Sequence, residues 1–229
     1  MYVENVKSIN DFVGCRHGCV YCVKSFQRQM KRQKCVLCKR FEPHLHADRL
    51  GKNPPRTKEG EFIFFPSAGD PCFMKPEQFQ AHIDYAKKWK DMTFLIQSKN
   101  PEFFLDYEFP DNVILGTTIE TNCTSFSGPS EYQYYAWISC APSLQRRFDA
   151  MLQLEHKRKA VTVEPILEMD IYELSSWIHQ INPELVWVGY DNHGCKLPEP
   201  TMTRTLRLIE ELKDLNVKKK TIRKAWFEK

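Results

Sequence analysis

From residue 61 onward the chain alternates two hydrophobic rhythms. Apolar runs of strand length, Phe62 to Phe65, Thr93 to Ile96, Val113 to Ile119, Ala160 to Val163 and Leu185 to Val188, each end in polar residues. Between them apolar residues recur at helical spacing: Phe79, Ile83 and Ala86; Leu144, Phe148, Met151 and Leu152; Leu174, Trp177, Ile178 and Ile181; then Leu206, Ile209, Leu212 and Leu215. Runs this continuously apolar suit strands buried on both faces, as in a parallel sheet covered by helices, and the stripes read as the core faces of those helices. A weaker alternation from Val3 to Ser8 adds a first strand, giving about six β/α units. The pattern predicts an α/β fold, a partial (β/α)6 barrel of TIM type, although a doubly wound open sheet shares the alternation. The aromatic segment Tyr132 to Ala141 has no assignable period.

The first sixty residues break this rhythm. Val3 to Ser8 leads through Asn10 and Asp11 into Gly14-Cys15-Arg16-His17-Gly18-Cys19-Val20-Tyr21-Cys22, so a C-x3-C-x2-C loop sits at a strand's C-terminal end. A basic, helix-compatible segment follows, then Cys35-Val36-Leu37-Cys38, then Phe41-Glu42-Pro43-His44-Leu45-His46, then turn chemistry from Gly51 to Gly60. Residues 23–60 therefore read as a Cys/His-containing insertion after the first strand and 216–229 as a basic C-terminal tail. With 229 residues, 42% of them hydrophobic, the chain reads as one domain over residues 1–229 with one sizeable core.

Composition narrows the setting. Nine cysteines with no signal peptide and no long apolar span predict a reducing cytoplasm, no membrane, and thiols that serve metals or catalysis. The net charge of +4 is unevenly spread: Val23 to Arg40 holds seven basic residues and no acidic one, and Lys218, Lys219, Lys220, Arg223 and Lys224 close the chain. Such patches meet phosphates or are simply solvated faces.

Three thiolates at the spacing of Cys15, Cys19 and Cys22 can hold three irons of a four-iron four-sulfur (4Fe-4S) cluster, leaving the fourth iron open to another ligand. Zinc is the competing occupant, since Cys19 and Cys22 form a C-x2-C pair that His17 or Cys35 completes. With Tyr21 before the last cysteine, the loop resembles the cluster loop of radical S-adenosylmethionine (SAM) enzymes. Ser67-Ala68-Gly69-Asp70-Pro71 is similar in position to that superfamily's Gly-Gly-Glu-Pro motif, with Ser and Ala in its first part and Asp for Glu. Phe65 to Asp70, Gln97 to Pro101, Leu115 to Asn122 and Val163 to Leu167 resemble more narrowly a small radical-SAM-like family of phages and prokaryotes with no known substrate. The resemblance covers roughly Val6 to Gly194.

The resemblance implies a cluster on Cys15, Cys19 and Cys22 whose open iron binds SAM. It places Ser67, Ala68, Gly69 and Asp70 at the SAM amino group, Thr118 or Glu120 at the ribose, and Glu164 beside the adenine. An electron from a donor such as a flavodoxin or ferredoxin would then cleave SAM to a 5′-deoxyadenosyl radical that abstracts hydrogen from substrate; no catalytic residue beyond these is identified. Barrel geometry points the same way, because chemistry gathers where the C-terminal ends of the strands converge; Lys99 reaches the same opening. The basic run beside the cluster loop favours an anionic substrate, with nucleic acid one candidate. The alternative is a non-catalytic zinc or iron-sulfur module that binds nucleic acid.

Cys35, Cys38, His44 and His46 have the ligand types and count of a structural zinc site, in the pattern C-x2-C-x5-H-x-H. Free thiols on a basic loop are the alternative, and Cys72 or His17 could replace a ligand. Cys123, Cys140 and Cys195 have no ligand-like spacing and read as small buried hydrophobes.

Overall fold

The computed structural model describes residues 6–50, 52–58 and 60–229. Val3 to Asn5 of the expected first strand, and Gly51 and Glu59 of the expected turn stretch, lie outside them. The strands are β1 (Val6–Ser8), β2 (Phe12–Gly14), β3 (His44–Leu45), β4 (Phe62–Phe64), β5 (Ala68–Gly69), β6 (Phe94–Gln97), β7 (Val113–Thr118), β8 (Lys159–Val163), β9 (Leu185–Val188) and β10 (Val217–Lys219). The long helices are α1 (Pro76–Lys88), α2 (Leu144–Gln153), α3 (Ile171–Ile181) and α4 (Met202–Glu211).

Seven strands form one parallel sheet in the order β1-β4-β6-β7-β8-β9-β10, curled into a half-barrel. Every residue of β4, β7 and β9 is buried, which is why these strands lack polar alternation. The apolar stripes of the helices pack against them in one cluster with Ile63, Phe94, Leu115, Val161 and Val186 at its centre. Asp170 and Thr201 cap α3 and α4 by accepting a backbone N–H three residues on.

The sheet holds one strand more than the six read from the sequence. A seventh strand, β10, lies in the stretch 216–229 read from the sequence as a tail, and the crossover from β6 to β7 is a 3-10 turn, Pro101–Asp106, where a helix was implied. A second, three-stranded sheet was not foreseen: β2 pairs antiparallel with β3 and parallel with β5. It joins β2 to the chain beyond β4, and β3 holds the stretch 23–60 against β2. Gly14 permits this approach, because it has φ +104° and a Cβ there would lie 2.3 Å from the backbone of Glu42. Among the described residues no helix is long and apolar enough to cross a membrane.

Candidate functional site

The cysteine loop is gripped by backbone from two directions. Cys15 donates its N–H to the Phe41 carbonyl (3.3 Å), Cys140 donates to the His17 carbonyl (2.7 Å), and Val20 donates to the Ile138 carbonyl (3.0 Å). Ile138 and Cys140 belong to the aromatic segment that has no legible period; its task is to back this loop. Gly18 turns the loop at φ +61°, and from Val20 the chain enters a helical run (Val20–Cys22, Val23–Gln27, Arg28–Met30).

All three thiols face one cleft of about 730 Å³, counted out to open solvent, at the C-terminal edge of the large sheet. Ser67, Ala68, Gly69, Asp70, Thr118 and Glu164 line the same cleft, together with Gln97, Lys99 and Thr162. Residues far apart in the chain, expected at one mouth, are therefore neighbours. Glu120 differs: it is fully buried and does not line the cleft.

Beneath the thiols lies a buried charge network. Glu120 accepts from Tyr21 Oη (2.6 Å), Tyr135 Oη (3.0 Å) and Arg147 Nη1 (2.9 Å), and pairs with Lys99 Nζ. Burial pushes the Glu120 carboxyl up, but Lys99 and Arg147 outweigh it and hold the group at about 2. Burial pulls Lys99 down, yet the Cys19 and Glu120 charges raise it above the ordinary lysine value. Tyr135, buried beside Glu120, is pushed up to about 12. Two cations against one carboxylate leave one positive charge over, and Lys99 Nζ carries it to within 3.4 Å of Cys19 Sγ. Ser139 Oγ lies 3.1 Å from the same sulfur. A hydrogen bond from Cys22, then Lys99, outweighs burial and holds the Cys19 thiol well below its usual value, whereas the same hydrogen bond and burial push Cys22 up and burial pushes Cys15 up. Anionic sulfur is thus favoured at the centre of the motif.

Asp70 is a joint. Its carboxylate accepts from Ser98 Oγ (2.5 Å), Lys99 N–H (2.9 Å) and Cys72 N–H (3.1 Å), and His17 Nε2 stands 3.1 Å away. Burial raises this carboxyl, but the hydrogen bond and charge of His17 and the donors at Ser98 and Lys99 hold it below the usual range. Both oxygens are engaged within the protein, which leaves the strand edge at Ser67 to Gly69 to front the cleft. On the far wall Gln97 Nε2 donates to Thr118 Oγ1 (2.9 Å), and Glu164 pairs with Lys220 Nζ (2.6 Å). Tyr21, Cys22, Phe26 and Glu164 also line an adjoining hollow of about 840 Å³ with Tyr190 to His193.

Arg147 and Tyr135 are the residues that sequence reasoning missed. Arg147 had a signal: Leu144, Arg147, Phe148 and Met151 fall at i, i+3, i+4 and i+7, so a charged residue occupies a core position of α2. Of the late basic cluster, Lys220 and Arg223 are spent internally, the latter on Glu199 (2.7 Å). The seven basic residues of 23–40 are all exposed. His17 and Cys72 gather at the cluster loop, 3.6 Å apart, and not with Cys35 and Cys38. Cys195 is buried, but Cys123 is only half-buried and Cys140 is exposed, correcting that expectation for both.

No protein-family model matches the sequence, and no curated protein matches it. Among solved structures the chain is similar to SuiB of Streptococcus suis, determined with its precursor peptide SuiA bound, at a TM-score of 0.54 and 10% identity over 94% of this chain. SuiB is a radical SAM enzyme. The two chains share a fold. The match takes in 48% of SuiB, so this chain spans about half of that protein's length.

Proposed function

We propose that this protein is a radical SAM enzyme whose cluster is held by Cys15, Cys19 and Cys22. The observation that carries the reading is the convergence of these thiols with Ser67 to Asp70, Thr118 and Glu164 on one cleft at the C-terminal edge of a curled parallel sheet. The donor set fits a 4Fe-4S cluster: three soft sulfur ligands from one short loop, the central one favoured as thiolate and faced by the surplus charge of Lys99. When bound and reduced, such a cluster supplies the electron that cleaves the sulfonium of SAM and so the means of removing hydrogen from a substrate.

The chain's own residues bind, orient and shield. The backbone edge of Ser67 to Gly69 offers polar groups to the amino-acid end of SAM, while Asp70 keeps that edge and His17 in register. Thr118, steadied by Gln97, and Glu164, steadied by Lys220, offer hydrogen-bonding groups to the nucleoside end. Glu120 acts from below, fixing Tyr21 and Lys99 under the sulfurs. An electron donor of the flavodoxin or ferredoxin class is required. SuiB holds a precursor peptide; for this chain the exposed basic face of 23–40 favours an anionic substrate, a nucleic acid or another phosphate-bearing molecule.

The test is SAM turnover by the reconstituted, chemically reduced protein. Methionine and 5′-deoxyadenosine should appear, and Cys19→Ala should yield neither. Intact SAM beside a fully loaded cluster would reassign the protein to electron transfer, and a colourless zinc protein that binds nucleic acid would favour the non-catalytic module.

A further inference from the structure

The loop from Cys35 to His46 contains a constellation that the proposed SAM chemistry does not use. Cys35 Sγ and Cys38 Sγ each lie 3.4 Å from His44 Nε2, Cys38 Sγ lies 3.1 Å from His46 Nε2, and the two imidazole Nε2 atoms are 2.9 Å apart. All four donor atoms fall within 4.8 Å of one another. The chain reaches this arrangement by a short helix, Val36–Arg40, that ends on Phe41 in the left-handed region (φ 56°). The turn throws Glu42 to His46 back across Cys35 and Cys38.

Hydrogen bonding does not account for the geometry. His44 Nδ1 lies 2.7 Å from the carbonyl oxygen of Glu42, and a carbonyl only accepts, so Nδ1 carries the proton. In the neutral ring Nε2 then has one lone pair and no hydrogen, yet three polar atoms surround it at 2.9, 3.4 and 3.4 Å. If Cys35 donates to that lone pair and Cys38 to His46 Nε2, two nitrogen lone pairs face each other at 2.9 Å; if His46 donates to His44 instead, neither thiol has a nitrogen left to donate to. A cation at the centre satisfies all four donors together. Tetrahedral zinc with Zn–S near 2.3 Å and Zn–N near 2.0–2.1 Å sets its ligand atoms about 3.3–3.8 Å apart, within a few tenths of an ångström of most of the separations here. The Glu42 carbonyl on Nδ1 is the outer partner that fixes a metal-binding imidazole in its tautomer.

We propose that Cys35, Cys38, His44 and His46 bind one structural zinc ion, and that this ion anchors the wall behind the cysteine loop. Two thiolates and two neutral imidazoles complete a tetrahedron, leaving no open position. The anchor is needed because the packing here is slight: the local core consists of Val13, Cys38, Phe41 and Ala68, with Cys15, Phe26, Met30 and Cys35 at its edge. What it anchors is the start of the cysteine loop. His44 pairs with Val13 across β2 and β3, and the Phe41 carbonyl receives the Cys15 N–H.

Metal analysis of the full chain decides the matter. The triple variant Cys15→Ser/Cys19→Ser/Cys22→Ser, purified from zinc-containing medium, should retain about one zinc per chain while holding no iron, so the result does not depend on the SAM reading. Wild-type chain loaded with cobalt(II) should show the intense visible absorption of a tetrahedral thiolate-imidazole site. Cys35→Ser/Cys38→Ser should lose the zinc, and its reconstituted iron content should fall. Absence of zinc from the triple variant, iron in its place, or octahedral cobalt in the wild-type chain would overturn the proposal. The wild-type cobalt spectrum stands even if a variant fails to fold.

Discussion

Replacing Arg147 by Met would remove a side chain with no solvent exposure and strand most of its partners. Its guanidinium donates to the carbonyls of Pro142 (2.8 Å) and Thr118 (2.9 Å), to Glu120 (2.9 Å) and to Tyr135 Oη (2.9 Å). Breaking a buried pair by deleting one member costs about 3–5 kcal/mol, because the remaining charge loses its compensation. A second route reaches the same size: a Glu120 carboxyl held at about 2, against an ordinary 4.5, corresponds to about 3 kcal/mol of stability tied to its ionised form. The folded value is the depressed one, so this contribution is complete above pH 4.5 and is lost as pH falls toward 2. Urea unfolding of the cluster-free chain is the assay. Arg147→Met should lose at least about 3 kcal/mol at pH 7. The stability gap between wild type and Glu120→Gln should close as pH falls from 4.5 toward 2. In the Arg147→Met/Glu120→Gln double variant the two losses should fall short of additivity by more than about 1 kcal/mol. A loss below about 1 kcal/mol at pH 7, or strict additivity, would refute the reasoning.

Three further outcomes follow from other parts of the site. Cys15→Ala, Cys19→Ala and Cys22→Ala should each fail to hold a full cluster, read as iron and sulfide content after anaerobic reconstitution; full loading of any one would remove that residue from the ligand set. Gly14→Ala places a Cβ 2.3 Å from the Glu42 backbone at φ +104°, costing at least about 1–3 kcal/mol; its melting temperature and iron content should both drop, and unchanged values would mean that β2 and β3 need not approach so closely. If the exposed basic face meets phosphate, Lys31→Ala/Arg32→Ala should flatten the salt dependence of nucleic-acid binding, and an identical slope would assign that face to solvent.

Strands buried on both faces announce themselves as unbroken apolar runs, which is why β4, β6, β7, β8 and β9 were legible in order. The edge strand β10 was not: Lys218 and Lys219 are exposed and only Val217 is partly covered, so nothing apolar marks it. The second sheet was hidden for another reason. Its strands are two or three residues long, and their pairing depends on the close approach at Gly14 and Gly69 that no local pattern encodes. The cysteine loop could be singled out because its pattern lies in spacing along the chain. The partners of Glu120 were not, since Tyr21, Lys99, Tyr135 and Arg147 meet only in three dimensions, and Arg147 alone betrayed itself by a charge on an apolar stripe. Asp70 shows the opposite case: its position at a strand end was readable, whereas its four internal partners were not.

The central claim is a cluster with one iron open to SAM, and electron paramagnetic resonance of the anaerobically reconstituted, dithionite-reduced protein tests it most directly. With about four irons per chain, addition of SAM should shift the g-values of the reduced cluster, because a new ligand enters the coordination of one iron. A spectrum unchanged at saturating SAM, from protein with full iron and sulfide content, would contradict the account.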